Sequence, residues 1–246
     1  MPQLKFDITM TLDGYVAGPN QSVEDPLGEG ARGIHNWALK TKAFAEIHGD
    51  EGGETGTNDD VVRESFANVG ATLMGRNMFG GGPGPWGEDP WSGWWRDNPP
   101  FHTPVFVLTH HEREPLEMEG GTTFHFVTDG VESALEQATE VADGKDVHIG
   151  GGAQTAQQYL AAGLIDEMEL HVVPQLLGGG ERLLDNLDGA EIKLEQARVI
   201  ETPEVTHLKY RILKSATARR RRFPPDLHSA RDSLHGRCDN QRRDRG

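Results

Sequence analysis

Three places in the chain join a β-prone run to a helical pattern through small residues, and each could hold an anion. The first is Val147–His148–Ile149–Gly150–Gly151–Gly152–Ala153–Gln154–Thr155. Glycines at a strand end let a ligand approach bare backbone, and the unpaired N–H groups and dipole of the following helix favour a group such as a pyrophosphate. The run is neither a GxGxxG dinucleotide fingerprint nor a Walker loop, which would end on Lys-Ser/Thr, and a plain strand-to-helix turn would use the same glycines. The second place is Thr72–Leu73–Met74–Gly75–Arg76–Asn77–Met78–Phe79. There Arg76 takes the first exposed position and suits bidentate capture of a phosphate, although an ordinary surface Arg would read the same way. The third is Val107–Leu108–Thr109–His110. Ligands of open α/β sheets sit beyond the carboxyl ends of neighbouring strands, so three such ends strengthen one another.

Placing those ends side by side takes strands that alternate with helices. β-prone runs occur at Leu4–Met10, Ala71–Met74, Val105–Leu108, Thr123–Val127, Asp146–Ile149 and Glu167–Val173. Ile192–Ile200 and Val205–Leu213 flank the turn Thr202–Pro203–Glu204 as a hairpin. Val131, Ala134, Leu135, Ala138, Val141 and Ala142 share one helical face, with Asp129 or Gly130 to cap it and Gly144 to stop it. Ile34, Trp37, Ala38, Phe44 and Ala45 make a similar stripe broken by Thr41, and Ala153–Ala162 makes a third that ends at Gly163. Helices between strands are crossovers. The patterns therefore predict one α/β domain: a mostly parallel sheet of about eight strands flanked by helices, with a C-terminal antiparallel hairpin.

Composition narrows the partners. The chain has 246 residues, 35% hydrophobic and 26% charged, with a mean hydropathy of −0.58, which suits a globular protein with a sizeable core. No run approaches the ~20 apolar residues of a spanning helix, and MPQLKFDITM lacks a basic start followed by an apolar stretch, so no membrane and a cytoplasmic location are expected. Cys238 stands alone and no Cys/His cluster has zinc spacing, so neither a disulfide nor a metal is expected. The net charge of −15 combines +5 over residues 215–246 with −20 over residues 1–214. An acidic body repels phosphate backbones, so it should not bind nucleic acid, and an anionic ligand needs a local pocket of donors. The Arg-rich stretch 215–246 has no periodicity and is expected to be disordered. Its cluster Arg219–Arg222 is either an arm for RNA or an acidic partner, or an extension without function. A second polar stretch, GDEGGETGTNDD at 49–60, reads as a solvated loop.

The N-terminal strand leads into Thr11–Leu12–Asp13–Gly14–Tyr15–Val16–Ala17–Gly18, with Trp37 on the following helix. This loop, the MGRNMF junction, the VFVLTHH strand end, the IGGGAQT junction and Val172–Val173–Pro174–Gln175–Leu176–Leu177–Gly178–Gly179–Gly180 follow the order of the dihydrofolate-reductase-like superfamily. Over about residues 3–213 the chain most resembles the RibD C-terminal reductase domain of bacterial riboflavin biosynthesis and its stand-alone relatives. The resemblance implies a dihydrofolate-reductase-like fold and an NADPH-dependent oxidoreductase, a homodimer as relatives often are. It assigns Gly75, Arg76 and Asn77 to the 2′-phosphate of NADPH, Leu108, Thr109 and His110 to the adenine and its ribose, and Gly150, Gly151, Gly152, Ala153, Gln154 and Thr155 to the pyrophosphate. Val16 and Ala17 would lie along the nicotinamide, with Asp13, Trp37, Leu177, Gly178 and Gly179 facing the substrate.

Two departures narrow this assignment. Met78 stands where the family often has Thr, which removes one hydroxyl from the phosphate site. Lys42 stands in the substrate region where dihydrofolate reductases carry the pterin-binding acid, and Glu46 lies too far along the helix to replace it, so dihydrofolate fits poorly. A small planar or ribosylated carbonyl or imine, pyrimidine- or pterin-related, fits better, with its proton from water or Asp13. Asp13 has a rival role, pinning its own turn through backbone hydrogen bonds. The Gly/Pro-rich segment 80–104 carries Trp86, Trp91, Trp94 and Trp95, either as a pocket wall that stacks on a planar ligand or as packing against the body or a second copy. The rival reading of the whole chain is a nucleotide-binding regulatory protein that keeps the cleft without catalysis.

Overall fold

The structure, a computed structural model, describes residues 2–82, 84–88, 91–187 and 189–214. Its strands are β1 (Leu4–Thr11), β2 (Tyr15–Ala17), β3 (Val69–Gly75), β4 (Pro104–Leu108), β5 (Leu116–Glu117), β6 (Thr123–Val127), β7 (Asp146–Gly151), β8 (Glu167–Val173), β9 (Glu181–Arg182), β10 (Lys193–Glu201) and β11 (Thr206–Leu213). Its α-helices are α1 (Asn36–Leu39), α2 (Lys42–Ile47), α3 (Thr57–Ser65), α4 (Arg76–Phe79), α5 (Val131–Val141) and α6 (Ala153–Ala161). Among the described residues nine strands form one sheet in the order β10-β11-β8-β1-β7-β3-β4-β6-β5, and β2 pairs with β9. From β8 to β6 all neighbours are parallel; β5 is antiparallel to β6, and β10–β11 is an antiparallel hairpin docked on β8.

The eight expected strands and the α/β architecture are all present. The short β2, β5 and β9, of two or three residues, are too brief to show a period. The stripe broken at Thr41 is two helices. The Thr41 hydroxyl accepts from Phe44 N (3.2 Å) and donates to Ala38 O (2.7 Å), so one side chain closes α1 and caps α2. The stretch 49–60 is only partly a loop, because Thr57–Asp60 is the first turn of α3. Asp59 and Asp60 suit the positive end of that helix, and Asp59 is buried, taking the Ala43 N–H at 2.5 Å and facing Arg63. Residues 215–246, with the Arg219–Arg222 cluster, lie outside the described residues. Among the described residues no helix is long and apolar enough to cross a membrane.

The two sheet faces differ chemically. Leu4, Phe6, Leu73, Val147 and Ile149 meet Ala134, Ala138, Tyr159 and Leu160 of α5 and α6 in the main apolar core. Strand pleating sends the alternate residues, Lys5, Asp7, Thr9, Asp146 and His148, to the other side. There the helices α1–α3 form their own cluster around Ile34, Trp37, Ala43, Val61 and Val62. At the far edge Met74, Phe79, Val105, Val107 and Phe124 pack with Trp86, Trp91, Trp95 and Phe101.

Asp146 ties the polar side together. Its carboxylate accepts from Gln3 N (2.9 Å) and Asn68 Nδ2 (3.1 Å) and pairs with Lys5 Nζ (2.7 Å), joining β1, β7 and the entry to β3. Burial pushes its pKa up, but Lys5, the Gln3 N–H and Asn68 outweigh burial and hold the carboxyl below its ordinary value. Replacing the buried Asp146 with Ala removes its charged hydrogen bonds to Gln3, Asn68 and Lys5 and should cost roughly 1–3 kcal/mol in denaturant unfolding. Because the folded-state pKa is depressed, this contribution is full above the ordinary carboxylate range and fades as pH falls through the folded value. The gap between native and Asp146→Ala stabilities should therefore close in acid; a gap that is constant with pH would show that the ionised form plays no part.

Candidate active site

The three strand ends singled out in the sequence converge on one groove of about 320 Å³. Gly75, Arg76 and Asn77 follow β3, Leu108, Thr109 and His110 follow β4, and Gly152, Ala153, Gln154 and Thr155 open α6. A side chain at Gly75 would run into the Thr155 hydroxyl, so the β3 end and the first turn of α6 touch through the missing Cβ. Gly151 has φ of 134°, a region that side chains rarely adopt, and an added Cβ would meet Met78 Sδ at 3.1 Å. Gly152 caps α6 without a side-chain hydrogen bond, which leaves the first-turn N–H groups facing a groove with no capping carboxylate. Glu181 on β9 also borders the groove, its carboxyl pushed up by burial.

Arg76 is the groove's cation, though its guanidinium is partly committed. Nη2 donates to Gly81 O (3.3 Å) and Gly82 O (3.1 Å), and Cζ stacks 3.0 Å from the Trp86 ring centroid. Nε and Nη1 are buried and have no acceptor among the described residues. Burial, then the nearby Arg113, lower the Arg76 pKa, and Arg113 itself lies 4.7 Å from the Trp86 ring. Arg113 donates to Trp91 O (2.6 Å), so of the two guanidiniums on this indole it is Arg76 that keeps unfilled donors for an anion.

A second cavity, about 720 Å³, lies between the sheet and α1–α3. Its wall is mainly apolar, with Trp37, Ala43, Phe44, Ile47 and Val62 beside a few polar groups, whereas its floor carries Asp7, Thr9, Thr72, His148 and His171. Asp7 on the central strand is bracketed by imidazoles from both neighbours. Its Oδ1 is bound to His148 Nε2, and Oδ2 lies 3.6 Å from His171 Nε2. His171 Nδ1 then meets His207 Nδ1 at 2.8 Å, and His207 Nε2 reaches Asn58 Oδ1 at 3.2 Å. Burial raises the Asp7 pKa, but the charges and hydrogen bonds of His148 and His171 overcome it and keep the carboxylate ionised. His207 is pushed down to about 4 by burial, then by His171 and Arg198, and is neutral. His35, also in the wall, is pushed to about 4 by burial and then His171. No local sequence pattern marks this cluster, because its members are single residues inside strands and a helix.

Of the residues expected to face the substrate, Trp37 lines this cavity, donates Nε1–H to Thr9 Oγ1 (3.1 Å) and packs 4.7 Å from the His171 ring. Gly150 also lines this cavity, whereas Gly152 lines the groove, so the glycine run borders both spaces. Lys42 is exposed and pairs with Glu46 (3.6 Å); Glu46, thought too far along, borders the cavity instead, held ionised first by Arg63. Asp13 takes the pinning role. It accepts from Thr11 Oγ1 (2.6 Å), Leu177 N (3.1 Å) and Gly178 N (2.8 Å), contacts that lower its pKa, Thr11 foremost, and fix the Leu177–Gly178–Gly179 loop. A carboxylate so bound is a poor proton source at neutral pH. Asp13, Leu177, Gly178 and Gly179 border neither space, and nor do Val16 and Ala17, which are buried on β2. The Trp segment packs on the body. Trp91 Nε1 donates to Phe79 O and Trp94 Nε1 to Met78 O, both at 2.8 Å, while Trp86 supplies the face on which Arg76 lies.

Comparison with known proteins agrees with this architecture. No curated protein matches the chain. Among solved structures it is similar to a protein named for riboflavin biosynthesis from Shewanella sp. PV-4, at 22% identity and a TM-score of 0.54, covering 86% of this chain and 99% of that one. RibD of Acinetobacter baumannii matches at 17% identity and a TM-score of 0.55, covering 87% of this chain but only 59% of that longer one. A deaminase/5-amino-6-(5-phosphoribosylamino)uracil reductase of Thermotoga maritima matches at 15% identity and a TM-score of 0.50, covering 86% of this chain and 57% of that one. At these identities the structures speak to the fold. The family profile of the RibD C-terminal domain matches residues 2–208, nearly the whole described chain, and on that ground the chain belongs to the RibD C-terminal domain family.

Proposed function

We propose that the chain is an NADPH-dependent reductase acting on a small planar or ribosylated carbonyl or imine compound. Family membership supports reductase chemistry. The observation that carries the choice of cofactor is the groove, where an uncapped helix terminus and a guanidinium with unfilled donors meet at the ends of neighbouring parallel strands. The α6 N–H groups would take the pyrophosphate, and Arg76, turned from the Trp86 face into the groove it borders, the 2′-phosphate. Thr109 and His110 would flank the adenosine end. Bound there, NADPH supplies a hydride. The apolar wall and polar floor of the larger cavity fit a planar heterocycle, and Lys42, turned outward, offers no counterpart to a pterin-binding acid. A titratable cluster on the cavity floor favours a catalyst over a purely regulatory nucleotide binder.

Arg76 tests cofactor choice. A charged hydrogen bond to the 2′-phosphate is worth roughly 1.5–3 kcal/mol, so Arg76→Ala should weaken NADPH by about 10- to 150-fold and leave NADH nearly unchanged in fluorescence titrations. Equal losses for both cofactors would make Arg76 a structural residue of the Trp86 stack.

Gln154 tests the pyrophosphate site without threatening the fold. It is exposed in the first turn of α6, where an acid complements the helix dipole. Gln154→Glu should leave the melting temperature unchanged or slightly raised. It should weaken both cofactors by about 5- to 150-fold, through repulsion on the order of 1–3 kcal/mol at an effective dielectric near 20. Undiminished binding would move the pyrophosphate away from α6.

A further inference from the structure

Resting on the reductase reading, we propose that His148, oriented by Asp7, is the proton donor of the reduction. His148 and Gly150 are alternate residues of β7, so both face the larger cavity. Gly150 lies two residues before Gly152, which lines the groove, so along this run His148 is on the cavity side close to where the two spaces adjoin. The side chains of His148 and Asp7 keep 13% and 25% of their surface, enough to meet a ligand in the cavity, whereas His171 keeps 3%.

Hydrogen bonding then sets the roles. Asp7 engages Nε2 of His148, which places a proton on that nitrogen and leaves Nδ1 as the one that can exchange a proton with a ligand. An ionised carboxylate beside the ring stabilises the imidazolium, as in triads where the acid orients and does not itself titrate. His171 serves differently. Neutral His207 donates Nε2–H to Asn58 and so accepts at Nδ1, which obliges His171 to donate its Nδ1–H there and buries that ring as a support of Asp7.

Other groups around His148 are committed elsewhere. On its own strand Asp146 is paired with Lys5, the residue opposite His148 on β1. Across the cavity His35 is half-buried and neutral, Glu46 and Arg63 bind each other, and His102 Nδ1 meets Gly120 O at 3.0 Å. The chemical step balances simply. As the substrate carbon accepts a hydride from the reduced nicotinamide, the π pair of its C=N or C=O bond moves to nitrogen or oxygen. That atom takes the proton from His148 Nδ1, the nicotinamide is left oxidised, and the ring recovers a proton from water.

The test uses the full chain loaded with NADPH. Nitrogen-15 NMR should show the neutral His148 ring carrying its proton on Nε2, hydrogen-bonded to Asp7, and Asp7→Asn should move that Nε2 resonance. With 5-amino-6-(5-phosphoribosylamino)uracil as the probe substrate, NADPH oxidation should slow as pH rises. His148→Gln, which can still donate to Asp7 but cannot carry the proton, should lower kcat about 10²- to 10⁴-fold, keep NADPH affinity within about twofold and abolish the alkaline decline. A neutral ring with its proton on Nδ1, or a His148→Gln enzyme that retains both rate and pH profile, would overturn the proposal. Failure of the native protein to bind NADPH would instead overturn the reductase reading.

Discussion

A carboxylate on the central strand, held between imidazoles from the strands on either side, shapes one half of this protein. Asp7 is ionised beneath a helical layer, and a charge in that position persists only if it is paired and hydrogen-bonded. His148 of β7 and His171 of β8 provide the pairing because both strands run parallel to β1. With such a floor α1–α3 cannot pack flush on the sheet. They close instead on their own cluster and on Val173 and Val205, and the space left over is the larger cavity.

The opposite sheet face is of the ordinary kind. Small residues of α5 and α6, such as Ala134, Ala138 and Ala156, bring the helices close to the sheet, where Phe6, Leu73, Val147 and Ile149 are buried. Removing such side chains from water is the main source of stability. One consequence is that β1 and β7 serve two ends at once: alternate residues anchor the domain while those between them floor the cavity. A one-residue slip in either strand would exchange the two sets.

Groove and cavity meet at the glycine run. Gly150 borders one and Gly152 the other, with Met78 lying over Gly150 and Gly151 between them. Side chains are disfavoured here for a local reason: Gly151 has a φ that side chains rarely adopt and its Cβ would press on Met78 Sδ at 3.1 Å, while a Cβ on Gly150 would touch Thr72 and Met78. Loops elsewhere are held by unlike means: the Trp segment by indole N–H bonds to the carbonyls of α4, and the Leu177–Gly178 loop by the Asp13 carboxylate.

Local signals in the sequence were sufficient for the eight main strands, the crossover helices and the three strand ends of the groove. Those signals are periodicity, glycine at a strand end and capping residues, all of which act within a few positions. They misjudged 57–60, because whether a run such as Thr-Asn-Asp-Asp is solvated or caps a helix depends on what Asp59 meets, and it meets Ala43 and Arg63. They left Asp13 between two roles until Leu177 and Gly178, 164 and 165 residues away, supplied the donors. They were silent on Asp7 and His148, which are 141 residues apart and have no pattern of their own. Tertiary structure alone decided that a parallel register lays these two side chains together, because pairing between strands is set by packing of the whole sheet and not by the residues on either side of each.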